Sequence, residues 1–365
     1  MEKRILILTA GFGEGHNAAA RGIRDGLAAV SGGAAAVELH DIFAETYGFA
    51  NDWVRRAYLA TINRAPDTWG RFYRWLDGRQ EFAPQMGWLF MARGKLSQLL
   101  VRFQPTAVIS VFPGYPYLLE AILQGAPAAF QRIICVTDSI TVNAIWYRSA
   151  TDLFFVPNEP TAAVLVQAGV PQEKVRVTGF PVTPIIAELG ELRQPLVSGS
   201  ERRILYMINA GGRAAPEIIR GLVALPDVRL TVTVGRDEGL RRTVENIKAE
   251  VGRKFEIVGW SDQLPRLMLE SHLLISKAGG ATVQETIAAK CPMIVSQIVP
   301  GQEEGNARLI ESERCGVVAP TPQAIIAAVA RSFAGDAALW REWSENISRL
   351  SRPRASVEIA EMLLA

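Results

Sequence analysis

Short runs of valine, isoleucine and leucine recur along the whole chain, and each is followed by a stretch with helical periodicity. A run that is apolar on both sides fits a parallel strand covered by helices on both faces, so the rhythm dictates an α/β fold. In the first half the runs span 4–9, 36–39, 107–111, 132–137, 153–157 and 175–178. They restart at 204–208 and continue through 230–234, 255–258, 273–276, 293–297 and 317–319. Each half therefore reads as a doubly wound sheet of its own, two Rossmann-like domains facing across a cleft. The 365 residues agree, being too many for one ordinary core and right for two.

The expected division is a first domain over 1–185, a linker over 186–203, a second domain over 204–340 and closing helices over 341–365 that cross back to the first domain. The segment Pro181 to Arg203 is rich in proline, glycine and serine, the make-up of a connection. Apolar residues at 49% and charged residues at 21% exclude a disordered or fibrous chain. A net charge of +2 is too small to steer the whole molecule toward nucleic acid, and no nucleic-acid partner is expected. Cys135, Cys291 and Cys315 are too scattered for a zinc site or a disulfide framework, which fits a reducing cytoplasm. No run is long enough to span a bilayer.

Three glycine-bearing turns follow strands. The first, Gly11 to His16, has the pattern G-x-G-x-G-H, with Gly13 and Gly15 inside it. It matches neither the dinucleotide fingerprint nor the Walker loop. His16 opens the next helix, where an imidazole with an ordinary pKa of about 6.5 suits proton abstraction. Of the three histidines, His40 and His272 lie beside buried strands and read as structural. The second turn, with Gly211 and Gly212, is a natural place for a diphosphate. The third, SKAGGATVQETIAAK over 276–290, combines Lys277, Gly279, Gly280 and Thr282 with Glu285 one helical turn further on. Backbone amides at that helix start favour an anion, and Glu285 suits ribose hydroxyls. The segment PGQEEGN over 300–306 places Gln302, Glu303 and Asn306 at the same edge, where amides and carboxylates suit sugar hydroxyls.

Together with FPGYP at 112–116, VTDSITVNAIW at 136–146 and VTGFPV at 177–182, these motifs resemble the diacylglycerol glycosyltransferases and monogalactosyldiacylglycerol synthases of glycosyltransferase family 28. The resemblance covers nearly the whole chain. It implies the two-domain B-type glycosyltransferase fold, with the acceptor on the first domain and a UDP-sugar on the second. It implies His16 as general base, Glu285 on the ribose, Gln302 and Glu303 on the hexose, and the glycines at 211, 212, 279 and 280 around the diphosphate. Trp260 would lie against uracil, unless it is a plain core or rim residue, and Lys277 would neutralise the leaving diphosphate. Asp138 would orient the base or replace it, or else cap a turn. Pro113 falls in the acceptor-side loop, and Asn143 stands where relatives often have histidine.

The implied reaction moves a hexose, from UDP-glucose or UDP-galactose, to the hydroxyl of diacylglycerol with inversion. No D-x-D occurs, so neither metal nor cofactor is expected. The stretch 52–104 holds Trp53, Trp69, Trp75 and Trp88 among nine lysines and arginines and four acids. That mixture suits an anionic membrane surface and places the protein in the cytoplasm against the inner face of the cell membrane. The alternatives are a UDP-N-acetylglucosamine transferase acting on a polyprenyl-linked acceptor, or a nucleotide-sugar-binding regulator without turnover.

Overall fold

The computed structural model describes residues 2–11, 14–48, 89–140, 142–197, 199–209, 212–252, 255–299 and 303–365. Within them the expected strands form two parallel six-stranded sheets. In the first, β1 (Arg4–Leu8), β2 (Ala36–His40), β3 (Ala107–Ser110), β4 (Gln131–Cys135), β5 (Leu153–Val156) and β6 (Val175–Val177) lie in the order β2-β1-β3-β4-β5-β6. The second contains β7 (Arg202–Met207), β8 (Val228–Gly235), β9 (Glu256–Gly259), β10 (Leu273–Lys277), β11 (Met293–Gln297) and β12 (Gly316–Val318), in the order β12-β11-β10-β7-β8-β9. Burial on both faces explains the unbroken apolar runs: Ile5, Leu6, Ile7 and Leu8 are all fully buried, as are Leu273, Leu274 and Ile275.

The chain divides into two compact units. One comprises Met1–Pro184, Val299–Gly305 and Arg354–Ala365; the other comprises Ile185–Ile298 and Asn306–Pro353. Residues 185–203 thus belong to the second unit. They carry the short helix Ile185–Glu188, and Arg193 there donates to the Ser344 hydroxyl at 2.6 Å.

In the first unit the helix Glu14–Ser31 buries Ala19, Ala20, Ile23 and Leu27 toward the sheet, while the C-terminal helix Ala355–Leu364 packs against it. Two glycines let the helix Glu14–Ser31 pack closely, Gly22 against the segment at Pro181 and Gly26 against the C-terminal helix. A Cβ on Gly22 would stand 1.8 Å from the Pro181 carbonyl oxygen, and one on Gly26 2.3 Å from that of Ser356. The core of the second unit gathers Ile204, Tyr206, Leu230, Val232 and Ile275 from the sheet under Ile218, Ile219 and Leu222 of the helix Ala215–Ala224.

The stretch expected to face a membrane falls largely outside the described residues, its four tryptophans included. What is described of it is the helix Leu89–Phe103, which buries Ala92, Leu96, Leu99 and Phe103 and leaves Phe90 and Met91 exposed, with the Arg93 guanidinium 5.5 Å above the Phe90 ring. Among the described residues no helix is long and apolar enough to cross a membrane.

Candidate active site

Strand order locates one candidate site in each unit. In an open parallel sheet the ligand crevice lies beyond the carboxyl ends of the strands, where the winding direction reverses. That point falls between β1 and β3 in the first sheet and between β7 and β10 in the second. The glycine turns after β1, β7 and β10 sit at these two places.

At the first, His16 lies in the opening turn of Glu14–Ser31, half-buried. Its Nδ1 is 2.7 Å from the Val111 carbonyl oxygen at the end of β3 and 3.0 Å from the Thr137 hydroxyl beyond β4. A carbonyl only accepts, so Nδ1 carries the proton and Nε2 presents the lone pair. Burial pushes the His16 pKa down to about 4, opposed by the bond to Val111. The ring meets Phe112 edge-on with centroids 5.3 Å apart, and Trp146 lies at 6.0 Å. At neutral pH the residue is an uncharged base with a defined tautomer.

Asp138 reaches this ring through a tryptophan: the Trp146 indole N–H donates to its carboxylate at 2.8 Å. Asn143, buried, caps the short 3-10 turn Ala144–Trp146 by accepting from the Ile145 N–H at 3.0 Å, which anchors Trp146. Between Asp138 and Asn143 the backbone is strained. Ile140 takes a left-handed φ of +60°, which costs a β-branched residue about 1–3 kcal/mol. Pro113 is half-buried in the turn that leads into the helix Tyr115–Leu123, and Gly15 is half-buried beside His16. Gly13 lies outside the described residues.

Two residues that the motif reading passed over hold the first loop in place. The fully buried Tyr115 donates to the Thr9 carbonyl at 2.6 Å and accepts from the Ile42 N–H at 3.0 Å. Asp41 accepts from the Gly11 N–H at 2.8 Å and from the Ala44 N–H at 2.9 Å, capping the helix Ile42–Tyr47. Tyr115 was visible within FPGYP, but its role depends on a partner 106 residues away.

At the second site the Asn209 amide donates to the Ser276 hydroxyl at 3.3 Å, joining the ends of β7 and β10. Gly279 caps the helix Gly280–Ala288 without a side-chain bond, and Gly280, Thr282, Glu285 and Lys277 are half-buried around that start. Among the described residues a Cβ on Gly212 would meet only Leu240 Cδ1, at an ordinary 3.4 Å, so their packing does not require glycine there. The buried Asn306 donates from Nδ2 to the Ala278 carbonyl at 3.1 Å and so braces the turn before this helix. Its Oδ1 is buried and meets no hydrogen-bond partner among the described residues. Gly211 and Gln302 lie outside the described residues. Glu303 clusters with the first unit, where its carboxylate accepts from the Val299 N–H at 3.0 Å. Trp260, directly after β9, is 66% exposed.

Both histidines read as structural have protein partners. His40 lies between Glu38 and Glu45, and the buried His272 accepts from the Arg203 N–H at 3.0 Å through Nδ1. A cavity of about 470 Å³ lined by Arg148, Thr151 and Lys174 opens at the opposite, amino-terminal edge of the first sheet.

Comparison with known proteins places the two units in order. Residues 16–182 match the model of the monogalactosyldiacylglycerol (MGDG) synthase family, and residues 220–332 match the glycosyltransferase family 28 C-terminal domain. The processive diacylglycerol beta-glucosyltransferase of Bacillus subtilis (strain 168) is 25% identical over 368 residues, covering 99% of this chain and 95% of that one. Among solved structures, Acinetobacter baumannii MurG superposes with a TM-score of 0.65 at 16% identity over 99% of both chains. The spinosyn rhamnosyltransferase SpnG gives 0.58 at 15% identity, over 99% of this chain and 100% of that one. The fold is that of the GT-B glycosyltransferases, and the chain carries, in sequence order, a region that matches the monogalactosyldiacylglycerol (MGDG) synthase family and one that matches the glycosyltransferase family 28 C-terminal domain.

Proposed function

We propose that the protein transfers a hexose from a UDP-sugar to the hydroxyl of diacylglycerol, with inversion and without a metal. The observation that carries this reading is the bond between His16 Nδ1 and the Val111 carbonyl, which leaves Nε2 as a neutral, preorganised base. Nε2 takes the proton of the acceptor hydroxyl while that oxygen bonds to the anomeric carbon. The bond from this carbon to the diphosphate oxygen breaks on the opposite face, and UDP leaves with the electron pair. Gly212, Gly279 and Gly280 let backbone amides approach the diphosphate closely, and Lys277 adds a positive charge to meet the developing one. Glu285 accepts from the ribose hydroxyls. The Oδ1 of Asn306, which meets no donor among the described residues, is an acceptor that a sugar hydroxyl would satisfy.

The acceptor class rests on the resemblance to MGDG synthase and on the lipid named for the Bacillus relative. A lipid acceptor also requires a protein that works at a membrane surface. Exposed Phe90 and Met91 beside Arg93 support attachment to the inner leaflet, as does the tryptophan- and arginine-rich stretch before them. Incubation with diacylglycerol vesicles and a panel of UDP-sugars, followed by identification of the glycolipid and its anomeric configuration, tests the proposal. A β-linked hexosyldiacylglycerol formed in excess chelator is the expected product. Retention of configuration, or loss of activity on chelation, would overturn the mechanism.

A further inference from the structure

The second unit presents an aromatic side chain that its core does not use. Trp260 is 66% exposed, and one face of its indole is covered by Arg236, whose guanidinium carbon stands 4.5 Å from the ring centroid. Strand register brings the two together. A register shift between β8 and β9 sets Gly235 opposite Gly259, so the residue after each leaves the sheet at the same point of its carboxyl edge. Gly235 turns the chain with a left-handed φ of +58°, and neither glycine adds a side chain beside the pair.

This arrangement does little for the fold. A cation over a solvent-exposed ring is worth only about two- to fivefold in an equilibrium, and most of the indole stays in water. Its place along the sheet is more telling. Trp260 follows the edge strand β9, two strand spacings or about 10 Å from the end of β7, where the turn with Gly212 lies. A nucleotide whose diphosphate occupies that turn lays its base along the same edge, toward Trp260. At 4.5 Å the guanidinium leaves no room for a second ring between itself and the indole, so a base reaches this face only by displacing it.

We infer that Arg236 is a positioning residue for the donor that exchanges partners on binding. Its guanidinium covers the face of Trp260; a uridine diphosphate takes that face, and the displaced guanidinium pairs with the diphosphate. The inference rests on the second unit being the UDP-sugar site. It has a consequence that a merely structural arginine lacks. A nucleoside without phosphate must displace the guanidinium and offers it nothing in return, whereas the diphosphate offers a charge-assisted pair.

Calorimetry with uridine and UDP on the full chain tests this. Arg236→Ala is expected to bind UDP about two- to seventyfold more weakly, because loss of a charge-assisted pair outweighs loss of the competitor for the ring, yet to bind uridine about two- to fivefold more tightly, from loss of that competitor alone. Trp260→Ala weakens both ligands, and Arg236→Lys recovers part of the UDP affinity. Affinities for uridine and UDP that shift in the same direction in Arg236→Ala, or that do not change, overturn the inference while leaving the donor site standing. An unaltered protein that binds no UDP would remove the donor site itself, and Arg236's role with it.

Discussion

Acidifying the assay separates a buried His16 from an ordinary histidine. Burial holds its pKa at about 4 although the bond to the Val111 carbonyl pulls the other way. An imidazole with the ordinary value of about 6.5 is roughly nine-tenths protonated at pH 5.5, whereas one at about 4 is still almost wholly the neutral base. The acid limb of kcat/KM reports the base of the free enzyme. Transfer to diacylglycerol vesicles is therefore expected to keep kcat/KM within about twofold from pH 7.5 down to pH 5, with the limb near pH 4; an ordinary histidine would lose about tenfold by pH 5.5. Circular dichroism at each pH keeps acid unfolding out of the comparison. His16→Ala should lower kcat by about 10²- to 10⁴-fold, the usual contribution of a positioned base, while UDP affinity, which the proposed function assigns to the other unit, stays unchanged. An acid limb between pH 6 and 7, or an alanine variant with near-normal turnover, would refute the assignment of His16 as base.

His272 is 3% exposed and burial pushes it down to about 4, so the unfolded chain takes up its proton first as the pH falls. Its contribution to stability is complete above about pH 6.5 and is lost between there and pH 4, by about 3 kcal/mol, and His272→Gln should flatten that slope in urea titrations. Gly26→Ala sets a Cβ 2.3 Å from the Ser356 carbonyl oxygen and should cost about 1–3 kcal/mol, read as a lower Tm. Gly212→Ala should leave Tm nearly unchanged and weaken UDP binding in calorimetry, because only a ligand needs the space. Asn143→Ala removes the cap of the turn that carries Trp146, costing about 1 kcal/mol in chemical denaturation, and should lower kcat more than donor affinity.

Much of the architecture was legible because parallel strands leave a strong local signal. Burial on both faces demands unbroken apolar runs, so the strands and the two-sheet grouping could be read without any tertiary contact. The glycine turns were legible for a related reason: a turn that brings backbone close to a ligand admits few residue types. At Gly212 neither packing among the described residues nor a left-handed φ calls for glycine, in keeping with the proposed diphosphate site. Strand ends drew less from sequence, since β6 stops at Val177 and leaves Thr178 outside the sheet.

What the sequence by itself determined is the set of chemical groups and the strands that deliver them: His16 after β1, Lys277 at the end of β10 with the paired glycines after it, Trp260 after β9. Tertiary structure alone decided their states. His16 owes its tautomer to a carbonyl 95 residues away, Asp138 is engaged by Trp146, and the Trp260 ring is covered by Arg236 because a register shift aligned two strand ends. Local patterns follow from each residue's own backbone preference and burial. Protonation, orientation and shielding depend on which distant groups the folded chain sets within about 3–5 Å, and no periodicity encodes that.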